Sequence, residues 1–352
     1  MKIVNLIFMN IKDLFQIAID KEASDIHLNV GLLPVLRIEG NLVPLSKFPQ
    51  LVKKELQEMI LSILTPRQKE LLEQNRDLDF SYAIDDTRFR VNAHYEKECM
   101  GLAARIITNK LPTMDSVGMP NVVIELLHKN KGLVLVTGPT GCGKSTTLAA
   151  MINYVNENFS RKIITLEDPI EFLFKPDKCI IMQRELGSDI PTFESGLKHA
   201  LRQDPNVIMV GEMRDLETIA ATITLAETGH LVLATLHTYN AAQSIDRIVD
   251  VFPPDQQAQV RTQLSMTLDM VISQRLLPKV GGGRIATREI MVRNSAIGNL
   301  IRENKIAQIQ SVIQSGSADG MVSAERDLRA LLKAGLISED IAETQLKALG
   351  TL

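Results

Sequence analysis

The sequence predicts an α/β protein, in which a larger domain built on a mostly parallel sheet follows a smaller α+β domain. Three observations predict it. An apolar stretch, residues 131–137, runs into a glycine-rich loop, and a helical pattern, 145–153, runs out of it. Three more apolar runs, 161–171, 207–215 and 230–238, end in acidic or imidazole side chains and are separated by helical patterns. The first hundred or so residues instead carry short strands set among helices. A chain of 352 residues suits two domains, with boundaries read as 1–108, a linker at 109–120, and 121–352.

In chain order, Asn10 caps a helix over 11–20, with Asp13 in its first turn. Strands follow at 25–30 and 35–38, with Gly40-Asn41 as a turn. Helical spacing returns at 51–64 and at 66–74, where Pro66 suits a first helical position. Residues 78–84 and 88–95 read as a hairpin around Asp85-Asp86-Thr87, and 100–107 as a third strand. Period-two alternation puts Arg88, Arg90 and Asn92 on one face of that hairpin and Phe89, Val91 and Ala93 on the other. Arg105 on the next strand joins the polar face, which reads either as a solvated outer surface or as a set of phosphate-seeking arginines. Pro112, Gly118 and Pro120 interrupt any periodicity in the linker.

In the larger domain, helices are expected at 192–202 and 215–228, the second capped by Asp215 and stopped by Gly229. Past Pro253-Pro254, residues 255–277 read as one long helix. Gly281-Gly-Gly283 is a turn, 284–292 a strand, and helices follow near 296–303, 305–314, 323–333 and 338–346. From about residue 254 onward the chain reads as a helical subdomain.

Composition narrows the function classes. Aromatics make up 4%, Trp is absent, and 39 basic against 42 acidic side chains leave a net charge of −3. Bulk nucleic-acid binding is not favoured by that balance. Cys99, Cys142 and Cys179 lie far apart, so neither a zinc ribbon nor a disulfide framework is expected, and a reducing compartment fits better. No apolar run approaches the roughly 20 residues of a membrane span. Residues 1–9 do not read as a signal peptide.

The loop Gly138-Pro139-Thr140-Gly141-Cys142-Gly143-Lys144-Ser145-Thr146-Thr147 fits the phosphate-binding pattern of Gly, four residues, Gly-Lys-Ser. Glycines there let amides turn inward towards an anion, and the following helix offers its positive end. Lys144 suits the β- and γ-phosphates of ATP, and the Ser145 hydroxyl suits Mg2+. Strand ends in such a sheet carry ligands, so Glu167, Asp168, Glu212 and His237 are expected to converge on this loop. Glu212 is the first choice to polarise water and Glu167 the second, with capping of the turn before Pro169 as its plain alternative. Gly211 stands where an apolar strand of this kind usually ends in Asp. The ion therefore relies on Ser145 and phosphate oxygens, with waters reaching Glu167, Asp168 or Glu212. His237 and His230 bracket one strand and are candidates to sense the γ-phosphate.

These residues resemble the secretion ATPases of type IV pili and type II secretion. The glycine loop stands as Walker A, residues 165–171 as the Asp box, 210–215 as Walker B, and 227–238 as the His box. Residues 23–28 and 88–92 resemble the family's amino-terminal domain. Within the family, the chain is most similar to the pilus retraction subgroup. It lacks paired Cys-x-x-Cys motifs, and Ser295-Ala-Ile-Gly-Asn-Leu-Ile-Arg-Glu303 resembles that subgroup's Ala-Ile-Arg-Asn-Leu-Ile-Arg-Glu, with Gly298 in place of Arg.

The resemblance implies a RecA-like P-loop NTPase domain behind a PAS-like α+β domain, and an ATPase with ATP and Mg2+ that powers pilus retraction and twitching motility. It implies a homo-hexamer in which Arg88, Arg90 and Arg105 reach a neighbour's phosphates. It also implies a cytoplasmic place at the inner membrane, docked on a pilus platform protein, with a second retraction ATPase as a further partner. Pilus assembly or type II secretion is the near alternative. A nucleic-acid translocase, or a nucleotide-binding subunit of low turnover, is the alternative from another class. Neither nucleic acid nor zinc is expected.

Overall fold

The structure is a computed structural model, and it describes residues 10–85, 87–107 and 111–349. The reading of residues 1–9 and the start of the expected linker lie outside these. The chain divides into two compact units, Met1–Lys110 and Leu111–Leu352.

In the first unit, helix α1 (Ile11–Asp20) starts where the Asn10 side chain accepts the Lys12 N–H, and it buries Ile11, Leu14, Phe15 and Ala18. Strands β1 (Asp25–Leu28), β2 (Val35–Ile38) and β3 (Asn41–Pro44) precede helices α2 (Lys53–Ser62) and α3 (Pro66–Asn75). Strands β4 (Asp77–Ile84), β5 (Thr87–Glu96) and β6 (Cys99–Ile107) complete a sheet in the order β3-β2-β1-β6-β5-β4. Every pairing in it is antiparallel. β3 was not expected from its sequence. The predicted alternation holds: Phe89, Val91 and Ala93 are buried, and the Phe89 ring stacks on Phe15 with centroids 4.5 Å apart.

On the opposite face of this sheet, Arg90 lies directly across from Arg105, and Arg105 from Asp25. The Arg105 Nε donates to Asp25 at 2.8 Å, and the Ser24 hydroxyl donates to the other carboxylate oxygen at 2.8 Å. Burial pushes the Asp25 carboxyl up, but these donors outweigh it and hold it below the usual carboxylate range.

The second unit starts earlier than the sequence suggests. Met114 and Met119, inside the expected linker, are buried in its core. Helix α4 (Asn121–Leu127), strand β7 (Gly132–Thr137), helix α5 (Lys144–Asn158) and strands β8 (Lys162–Glu167) and β9 (Ile180–Glu185) follow. Then come α6 (Phe193–Ala200), β10 (Val207–Val210), α7 (Leu216–Glu227), β11 (Leu231–Leu236), α8 (Ala241–Asp250), α9 (Pro254–Thr267), β12 (Leu268–Pro278) and β13 (Arg284–Val292). Helices α10 (Ser295–Arg302), α11 (Ile309–Ser315), α12 (Ala324–Lys333) and α13 (Glu339–Ala348) close the chain.

The sheet runs β13-β12-β7-β11-β10-β8-β9, parallel except for the β12–β13 hairpin. This matches a RecA-like mixed sheet. β7 is buried along its whole length. Leu133 and Leu135 enter one apolar core, and Val134 and Val136 enter another, so helices cover both faces.

One expectation fails here. Residues 255–277 are not a single helix: α9 stops at Thr267 and the chain continues as strand β12. Residues 268–274 are buried without a break, as a strand covered on both faces requires and an amphipathic helix does not allow. The carboxyl-terminal region therefore contributes two strands to the main sheet, the second as expected and the first not, before its helices, of which α12 and α13 share a small apolar cluster. β9 and α8 were also unexpected.

At the amino end of the sheet, buried Asp269 takes an ion pair from Lys129 at 3.2 Å and one from Arg293 at 2.8 Å. A Cβ at Gly132 would lie 2.1 Å from the same carboxylate. At the carboxyl end, the Gly211 N–H donates to the Leu166 carbonyl at 2.8 Å. A Cβ on Gly211 would come 3.0 Å from that oxygen. The glycine is therefore set by how closely β8 approaches. Among the described residues no helix is long and apolar enough to cross a membrane.

Two outcomes follow from these contacts. Gly211→Asp forces a side chain against the Leu166 carbonyl and should destabilise the protein by about 1–3 kcal/mol, the usual range for overpacking. An unchanged urea midpoint would contradict that crowding. Asp25 is depressed in the folded state, so its contribution is present above the unfolded-state value and lost as pH falls through the folded one. Asp25→Asn should thus be less stable than the parent at neutral pH, with the gap narrowing in thermal melts below the ordinary carboxylate range.

Candidate active site

The strand register decides what meets at the carboxyl edge. Thr137 pairs with Leu236, Ala234 with Val210, and Val210 with Leu166, all in parallel. The loop after β7, Glu212 after β10, His237 after β11 and Glu167 at the end of β8 therefore share one edge, as expected.

The loop itself is shaped by three glycines at positive φ: Gly138 at 141°, Gly141 at 76° and Gly143 at 89°. Gly138 is also confined by space, since a Cβ there would lie 2.3 Å from the Gln274 carbonyl oxygen. Gly143 occupies the position before α5 and supplies no side-chain cap. The first-turn amides of Lys144, Ser145 and Thr146 thus present donors and the positive end of the helix dipole. These three residues are half-exposed and Thr147 is buried. The Lys144 Nζ donates to the carbonyls of Gly138 at 2.9 Å and Pro139 at 3.3 Å. Those bonds hold the ammonium over the loop.

Glu212 is the best-prepared carboxylate. One oxygen lies 2.9 Å from His237 Nε2, and the other accepts from Arg214 at 2.8 Å. Burial alone pushes its carboxyl up. Arg214, His237 and the nearby Lys144 overcome that and hold it below the usual range. It is an ionised acceptor kept in place by two cationic or hydrogen-bonding neighbours.

Glu167 differs. It is buried, accepts from the Thr165 hydroxyl at 2.6 Å and from Gln183 at 3.1 Å, and burial pushes its carboxyl up. The Gln183 bond ties β8 to β9, and the Thr165 bond lies within β8. Asp168 is exposed at the same edge.

His230 is not brought to this edge. It precedes β11, at the amino end of the sheet, and its Nδ1 sits 3.0 Å from the Leu225 carbonyl, where it closes the end of α7. A six-residue strand separates it from His237, about 20 Å at the usual rise. Arg88, Arg90 and Arg105 belong to the first unit.

Two site residues escaped the sequence reading. Arg214 was passed over between Glu212 and Asp215. Gln274 fell inside the wrongly expected helix, yet its Nε2 donates to the Cys142 carbonyl at 2.8 Å and its Oε1 accepts from Thr147 at 3.0 Å. The signal was available: an apolar run ending at Pro278, then Gly281-Gly-Gly283, then an apolar return is a hairpin pattern.

Beside the loop lies a cavity of about 690 Å³ whose lining includes Gly143, Thr146, Gln274, Arg284 and Arg288. Its size suits a nucleoside. Among the described residues no three His, Cys, Asp or Glu side chains cluster to hold a metal. The donors present fit Mg2+ only in the form that keeps its waters and takes Ser145 and phosphate oxygens.

Comparison with known proteins gives this geometry a lineage. The family described as Type II/IV secretion system protein matches residues 4–318. The type IV pilus retraction ATPase PilT of Pseudomonas aeruginosa is 46% identical over 340 residues, 96% of this chain and 98% of that protein. A twitching motility protein of Neisseria gonorrhoeae is 45% identical over 88% of this chain and 83% of its own length. Among solved structures, the pilus retraction motor PilT with bound ADP superposes with a TM-score of 0.89 at 46% identity, covering 95% of this chain and 96% of that one. The phosphate loop, the acid behind it and this end-to-end identity have one conclusion: the chain belongs to the type II/IV secretion ATPase family.

Proposed function

We propose that this protein is a motor ATPase that hydrolyses ATP to power type IV pilus retraction, and hence twitching motility. The observation that carries the reading is the 46% identity, nearly end to end, with a retraction ATPase. In this reading the amides of residues 141–146 grip the β- and γ-phosphates, and Lys144 exchanges its loop carbonyls for phosphate oxygens. Glu212 accepts a hydrogen bond from the attacking water and aligns it with the γ-phosphorus. His237, bonded to Glu212, registers whether the γ-phosphate is present. Ser145 would hold Mg2+, which when bound neutralises charge on the phosphate oxygens.

Arg88, Arg90 and Arg105 are assigned to a neighbouring subunit's phosphates in a homo-hexamer, where a trans arginine is worth about 10³–10⁵ in rate. The amino-terminal unit is assigned a PAS-like fold. The motor works in the cytoplasm against an inner-membrane pilus platform protein, alongside a second retraction ATPase. Arg105 is drawn towards Asp25 in the described chain, so it must give up that ion pair to serve in trans.

Glu212→Gln keeps the shape of the site but removes the charge that polarises water. It should bind ATP with parental affinity while steady-state phosphate release falls at least about 100-fold. Turnover at the parental rate would remove Glu212 from its role. In cells, deleting the gene should leave surplus surface pili and abolish surface motility, and Lys144→Ala should fail to restore either. Bald cells would instead mark an assembly motor.

A further inference from the structure

Gln274 is buried, with 2% of its surface exposed, and it reaches the phosphate loop from β12, a strand that carries none of the recognised motifs. Both ends of its amide are committed. The NH2 group donates to the Cys142 carbonyl at 2.8 Å, and the oxygen accepts from the Thr147 hydroxyl at 3.0 Å. The Gln274 backbone lies against the loop as well, since its carbonyl oxygen occupies the space a Cβ on Gly138 would need. One residue therefore touches the loop at its start, at its last turn and in the first turn of α5.

The bond to Cys142 has a directional effect. In a trans peptide the C=O and the following N–H point to opposite sides, and Asp168–Pro169 is the only cis bond among the described residues. Tying the Cys142 oxygen to Gln274 thus turns the Gly143 N–H away from β12. Gly143 is at positive φ, where a glycine backbone has broad freedom and this peptide could otherwise rotate. The second bond, from Thr147, fixes the amide of Gln274 so that it presents a donor and not an acceptor to Cys142.

We infer that Gln274 is a positioning residue for nucleotide binding: it sets the Cys142–Gly143 peptide so that the Gly143 amide faces the phosphates. The same strand position extends the effect. Gln274 pairs directly with Arg288 on β13, and the Arg288 guanidinium donates to the carbonyls of Val117 and Gly118, just after the boundary between the two units. Loop geometry and the start of the second unit are thus held from one cross-strand pair.

The inference rests on the proposal that this loop binds ATP, and the test separates the two. ADP binding is titrated on the full-length parent and on Gln274→Met, Gln274→Glu and Thr147→Val, with a thermal melt of each protein free of nucleotide. Gln274→Met keeps the packing volume and loses both bonds, and Gln274→Glu keeps the acceptor and replaces the donor. Both should weaken ADP at least tenfold, while Thr147→Val, which loses only the bond that orients the Gln274 amide, weakens it less. Affinity should fall by the same factor at temperatures well below each variant's melting point, which partial unfolding would not produce. A parent that ignores ADP defeats the ATPase reading. A parent that binds ADP and Gln274 variants that bind it equally well defeat this inference alone, as does a loss in Gln274→Met that tracks only its unfolded fraction.

Discussion

A helix that begins without a side-chain cap governs the carboxyl edge of the main sheet. Gly143 leaves the first amides of α5 to be satisfied from outside. The glycines of the loop, at positive φ, let its backbone wrap close around an anion, while the Gly138 and Pro139 carbonyls accept from Lys144. An anion is the natural partner, and Lys144 and the helix dipole raise its affinity further.

Charge balance explains why the polar groups of this edge sit together. A lone buried ammonium or carboxylate would be costly. Lys144 leans on two loop carbonyls, and Glu212 is flanked by Arg214 and His237. Each of these contacts is polar, local and replaceable by a phosphate oxygen or a water. Glu167 stands apart because its partners, Thr165 and Gln183, belong to the sheet itself. One bond lies within β8 and the other cross-links it to β9. The difference between the two acids lies in what surrounds them, since both end a buried strand.

The sequence made the centre of the site legible because the chemistry there is local. Gly138 to Ser145 is a single contiguous stretch, and the strands before Glu212 and His237 are short apolar runs with clear ends. The amino-terminal alternation from Arg88 to Ala93 was equally plain, since one face of that sheet is dry. What stayed hidden depended on distant neighbours. The 268–278 strand shows no alternation because β7 and β13 and both helical layers bury it, so its apolar residues mimic a helical stripe. Gln274 therefore could not be connected with Cys142, 132 positions away. His230 looked like a partner of His237 because both flank one strand, but the ends of a strand are far apart in space. Gly211 seemed a lost acid until the Leu166 carbonyl explained it.

Asp269 gives the sheet a fixed end. Its carboxylate joins Lys129, Arg293 and the close-packed Gly132 far from the phosphate loop, and it is almost sealed from water. Breaking one partner of such a group is expensive, so the start of β12 is held to the turn before β7 and to the residue after β13. At the opposite end of the same strand, Gln274 meets the loop through two neutral hydrogen bonds, so β12 is charged and closed at its root and uncharged at its tip.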